Sequence, residues 1–172
     1  MVRCSPLMLV LMWPVALFGE SQPQPLVELA LRERLQQAVA GAQAAVAAVD
    51  VKKMAVEPES GARIAASSER ARQSTHLVLT AAEFARQNPS SPSAQLILLL
   101  QLDGYQAQVD SVAVNVESAI LGSPAATAGR LGTWADGLSQ ALDALQKVRL
   151  ALETVVTAMV TDAERRLREC GK

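Results

Sequence analysis

Thiols and imidazoles carry the widest range of chemistry near neutral pH, and this sequence holds three such groups: Cys4, Cys170 and His76. A thiolate can attack carbon, bind metal or pair into a disulfide. An imidazole can move protons or ligate zinc. A lone histidine cannot build a zinc site, and Cys170 lies far from it in sequence. Ser74 and Thr75 precede His76, yet with the acids nearby they form no recognisable nucleophile–base–acid triad. The chain also has no glycine-rich phosphate loop, no nucleophile elbow and no metalloprotease motif. No catalytic, cofactor-binding or metal-ligating residue is therefore assigned, and a non-enzymatic protein without a cofactor is expected. His76 reads as a solvated surface residue, and Tyr105 and Trp134 as packing residues.

The two cysteines differ in context. Arg3 followed by the apolar run 7–18 (LMLVLMWPVALF), with small residues at Gly19 and Ser21, reads as a signal peptide. Cleavage is expected after Ser21, with Gly19 as the second choice. The run is too short to span a bilayer, and Pro14 interrupts it. No later stretch is apolar enough to serve as a transmembrane helix. A secreted protein follows, with a signal peptide over 1–21 and one domain over 22–172. Cleavage removes Cys4 and leaves Cys170 without a partner in its own chain. In an oxidising compartment such a cysteine is a candidate for an intermolecular disulfide or a free thiol.

Charge narrows the partners. Sixteen basic and seventeen acidic residues give a formal net charge of −1. That balance argues against nucleic acid, which needs a concentrated basic surface. It argues equally against a polybasic membrane-surface device. Half the residues are hydrophobic but only 3% are aromatic, so the core must be built from Ala, Val and Leu.

The elements that must position these groups are helical. Prolines punctuate the chain at similar intervals, at Pro58, at Pro89 and Pro92, and at Pro124. The intervening segments are rich in good helix formers. The first runs from about Leu26 to Val56 with Leu31, Leu35, Ala38, Ala42, Ala45 and Val49 on one stripe, and Pro58 is expected to stop it. The second, from about Ser60 to Gln87, carries Ile64, Ser68, Ala71, Thr75, Val78, Ala82 and Ala85, with Asn88 as a left-handed cap. The third has Ser91 as N-cap and Pro92 in its first turn, and its stripe is Leu98, Leu102, Tyr105, Val109, Val112, Val116 and Ile120. Gly104 costs about 1 kcal/mol in that helix, which a close contact or a bend would explain. Gly122 is expected to end it. The fourth begins at Ser123-Pro124 or at Thr133, with a kink or loop at Gly129 and Gly132. Its stripe then runs through Leu138, Leu142, Leu145, Val148, Leu152, Val156, Met159 and Ala163.

Short loops between long helices favour antiparallel neighbours. The expected fold is all-α: an antiparallel up-down-up-down four-helix bundle following the cleaved signal peptide. One feature departs from a plain bundle. Leu96, Leu99 and Leu100 fall nearly opposite the stripe of Leu98 and Leu102, where a bundle helix should be polar. They form a candidate interaction patch. Taken with Cys170, they point to a non-enzymatic binding or interaction protein that acts through a protein partner or a second copy of itself. A carrier of lipid or another apolar ligand is the alternative, from the amphipathic repetition and the small-residue face of the second segment.

Overall fold

A computed structural model describes residues 25–53 and 56–170. The signal peptide with its cleavage sites, and Cys4, lie outside the described residues. Four helices pack against one another: α1 (Pro25–Ala48), α2 (Pro58–Gln87), α3 (Pro92–Leu121) and α4 (Ala125–Cys170). A 3-10 turn, Val51–Lys53, lies between α1 and α2. There is no strand among the described residues, and no described helix is long and apolar enough to cross a membrane.

The first helix ends well before Pro58. Val49 and Asp50 leave it, and the Lys52 N–H donates to the Asp50 carboxylate at 3.2 Å. A short acidic side chain that takes a backbone N–H competes with the helical ladder, and the β-branched valines on either side add little to hold the helix. Pro58 instead opens α2, at a position where a missing N–H costs nothing.

Asn88 closes α2 without entering the left-handed region, at φ −126°. Its side-chain amide donates to the Phe84 carbonyl at 2.9 Å, as does its backbone N–H at 3.1 Å. The side chain thereby satisfies a terminal carbonyl that a left-handed turn would otherwise serve. Ser91 caps α3 as its type dictates, its hydroxyl accepting from the Ala94 N–H at 3.3 Å. Gly122 ends α3, also at negative φ, and the Ser123 hydroxyl donates to the Ala119 carbonyl at 2.7 Å.

The fourth helix starts at the earlier of the two expected positions. The N–H groups of Thr127 and Ala128 both donate to the Pro124 carbonyl at 2.9 Å. The helix then runs unbroken through Gly129 and Gly132. The Thr133 hydroxyl donates back to the Gly129 carbonyl at 3.2 Å, the bond of a mid-helix threonine rather than of an N-cap. At 46 residues, α4 is about 69 Å long, against about 45 Å for α2 or α3.

Side-chain bonds between helices give their directions. Gln95 Nε2 at the start of α3 donates to the Ala85 carbonyl at the end of α2, at 3.2 Å. Gln106 Nε2 on α3 donates to Gln146 Oε1 on α4 at 2.9 Å, and Arg149 pairs with Asp103. Numbers fall along α3 as they rise along α4, so these two helices run antiparallel. α3 sits between α2 and α4, while α1 packs mainly on α4 and only lightly on α2.

The core is the set of stripes that helical spacing defines. Ile64, Val78, Leu102, Val109, Val112, Val116, Leu138 and Leu145 are completely sealed from solvent. The half-buried members are Leu31, Ala45, Ala82, Ile120, Leu142, Met159 and Ala163, at the margins or helix ends. On α2 the core face is small and hydroxylated. Ser67 donates to the Arg63 and Ile64 carbonyls and Thr75 to the Ala71 carbonyl, so these two hydroxyls are satisfied within their own helix, while the buried Ser68 hydroxyl has no partner.

Candidate interaction surface

The buried arc of a helix widens when it has neighbours on both sides, and α3 has α2 on one side and α4 on the other. Leu99 lies about 100° round the helix from Leu98, on the α4 side, and it is buried in the core at 9% exposure. It is therefore not part of the outward patch. Leu96 and Leu100 do face solvent, at 43% and 58% exposure, and Ile97 joins them at 42%. Ile97 lies about 100° round from Leu98 on the flank opposite Leu99.

These residues belong to a larger apolar concentration. The register set by Gln95 and Ala85 brings the end of α2 level with the start of α3. There α2 exposes Phe84, and farther from its end Leu77 and, on the opposite flank, Leu79. Leu77 and Phe84 are seven residues apart and so share one stripe. The register set by Asp103–Arg149 and Gln106–Gln146 brings Leu150 and Val155 of α4 to the same end, and both are exposed. Single exposed leucines need no explanation, but a cluster at one end of a bundle does.

Polar groups border the apolar end. On α2, Glu83 is clamped by Arg86, whose Nε donates to it at 2.7 Å, and by Gln87 Nε2 at 2.8 Å. Those two hydrogen bonds, Arg86 first, hold the Glu83 carboxyl down at about 2, and the charge of Arg32 on α1 acts in the same direction. On the other side, Asp103, Gln106, Asp110, Asp143, Gln146 and Arg149 line an open polar groove between α3 and α4. The pairing with Asp103 raises the pKa of Arg149.

The remaining candidates are dispersed. His76 is exposed on α2. Trp134 is half-buried against the core. Tyr105 is sealed in the core at 1% exposure. Burial raises its pKa above the ordinary 10.0. No hydrogen bond reaches the phenol oxygen. Cys170 is an exposed free thiol at the tip of α4, far along the chain from the leucines. No group of three or more His, Cys, Asp or Glu among the described residues could hold a metal ion. No protein-family profile matches this chain, and no curated protein matches it.

Proposed function

We propose that this chain is a secreted, non-enzymatic interaction protein. In this reading a signal peptide over 1–21 is removed, and 22–172 forms one up-down-up-down bundle that docks a protein partner. The observation that carries it is the exposure of Phe84, Leu96, Ile97 and Leu100 at the level where the end of α2 meets the start of α3. Aromatic and aliphatic side chains grouped in this way, with charged and amide groups at their rim, have the composition of a protein-docking surface.

A photo-activatable phenylalanine analogue tests the reading. It is placed at Leu100 and, as control, at Val114, an exposed position toward the other end of α3. The protein is then recovered from the medium of cells that express it. Discrete adducts from position 100 and none from 114 are expected, on a chain whose N-terminus begins at Gln22. Equal labelling from both positions, or retention inside the cell, would refute it.

The second reading, a carrier of lipid or another apolar ligand, draws support from the small-residue core face of α2, along which a bundle parts at low cost in lost packing. Partition onto phosphatidylcholine vesicles with a gain in helicity would favour it over protein docking.

A further inference from the structure

The core stripe of α4 does not stop where the bundle stops. The pairs Asp103–Arg149 and Gln106–Gln146 set a register that brings Pro92, the first residue of α3, level with Val160 of α4. The last ten residues of α4 therefore project past α3 by about 15 Å. Val156, Val160, Ala163, Leu167 and Cys170 follow one another at alternating spacings of four and three, the pattern of a coiled-coil seam. Val156 is buried, Ala163 is half-buried, Val160 is 40% exposed and Leu167 74% exposed. The seam thus passes from the core into solvent on one face.

The flanks of this tail are charged in an ordered way. Asp162 and Glu164 lie toward its start, and Arg165, Arg166 and Arg168, with the single acid Glu169, toward its end. Within the tail Arg166 pairs back to Asp162 at 2.8 Å and Arg168 to Glu164 at 3.6 Å, while Arg165 pairs both back to Asp162 and forward to Glu169, the latter at 3.2 Å. Bonds from Arg165, with help from Arg166, keep the Asp162 carboxyl below its usual range. The tail is therefore near neutral as a whole but acidic at its base and basic at its tip.

We propose that a second copy of this chain covers the seam, with the two tails side by side and antiparallel. This rests on the reading of the chain as an interaction protein and names one partner, on the α4 tail that projects from the same end of the bundle as the exposed leucines. Two facts select the antiparallel pairing. A parallel copy would drive its own α4 into the space that α1, α2 and α3 of the first already fill. An antiparallel copy meets the first end to end, with Ala163 opposite Leu167 and each acidic base beside the partner's basic tip. That arrangement sets charges and helix dipoles in favourable opposition. It also holds the two Cys170 thiols about 15 Å apart, so the seam forms without a disulfide. About three turns of overlap bury on the order of 600 Å², well below a standard stable interface. The dimer is accordingly weak and concentration-dependent.

Sedimentation equilibrium of the purified full chain over a wide concentration range, with and without reductant, decides the matter. The expected result is a monomer–dimer equilibrium indifferent to reductant and to Cys170→Ser. Leu167→Glu should raise its dissociation constant at least about tenfold, and Leu121→Glu, at the opposite end, should leave it unchanged. Leu167 and Leu121 are both well exposed, so circular dichroism should show both variants folded. A monomer at every concentration overturns the proposal. So does a dimer that survives Leu167→Glu, or one that vanishes on reduction, which would be a Cys170 bridge. If the monomer's tail also resists trypsin at Arg165 to Arg168, the seam is covered from within its own chain. Adducts at position 100 that persist when Leu167→Glu has abolished the dimer separate the protein partner of the earlier reading from the second copy.

Discussion

Replacing Gly129 and Gly132 together by alanine should stabilise the protein, and the size of the gain can be worked out from the structure. Both lie inside the continuous early part of α4, and a methyl group at either position would meet no atom within 4 Å. Neither adopts the positive φ that makes glycine necessary. The substitution therefore gains helix propensity, about 1 kcal/mol at each position, with no packing penalty to set against it. Two such gains amount to about 2 kcal/mol, which for a chain of this size raises Tm by roughly 4–8 °C. Thermal unfolding followed by circular dichroism reads this directly. Urea unfolding with an unchanged slope would confirm that the native fold is intact. Thr133→Ala is the companion measurement. As an N-cap Thr133 would lose about 1 kcal/mol on truncation, but as a mid-helix threonine bonded back to Gly129 it should lose almost nothing. A Tm that is unchanged or lower in the double alanine variant, with a clear loss in Thr133→Ala, would refute the early start of α4.

Three further predictions concern ionisable and polar groups. Tyr105→Phe should be neutral or stabilise by up to about 1 kcal/mol, because the buried phenol oxygen has no hydrogen-bond partner to lose. Its raised pKa means that its share of stability is intact below pH 10.0 and is lost as pH climbs toward the folded value. The phenolate absorbance of this single tyrosine should thus appear together with alkaline unfolding. A phenolate signal that precedes unfolding would contradict the burial. The depressed Glu83 works in the opposite sense. Its contribution is present above about pH 4.5 and fades as pH falls toward 2, so acid titrations of the wild type and Glu83→Gln should converge in that window. Removing Asp103 or Arg149 singly should lower stability slightly, with a double-mutant cycle returning a favourable coupling. Zero coupling would mean that the pair does not bridge α3 and α4 in solution.

Much of the fold is legible in the sequence because the stripes are long and the cores of helical bundles are periodic. Every residue expected on the stripes is buried or half-buried, and the Ser91 cap forms as its residue type dictates. What the pattern does not reveal depends on neighbours. Leu99 lies about 100° from Leu98 but only about 60° from Leu102, so it flanks the stripe, and α4 beside it turns that position into core. Ile97, the same angle from Leu98 on the other flank, stays exposed. The end of α1 was hidden by a stronger punctuation mark: Pro58 is a clear helix boundary, but it opens the next helix and does not close the last. The projection of α4 could not be read from its own residues, since its seam continues the core pattern without a break. It emerges only when the lengths of α3 and α4 are set against the register between them.

The position of α1 has a kinetic consequence. α2, α3 and α4 follow one another through turns of only a few residues, so each packs on a neighbour that is close in sequence. The contact of α1 with α4 joins the two ends of the described chain and must wait for the largest loop to close. Folding should therefore proceed with the three later helices as an early unit, and α1 should dock last. The same order runs backwards in the native state. Backbone amides of α1 should exchange with solvent through a partial opening that leaves α3 protected, and only global unfolding should expose Val109, Val112 and their neighbours.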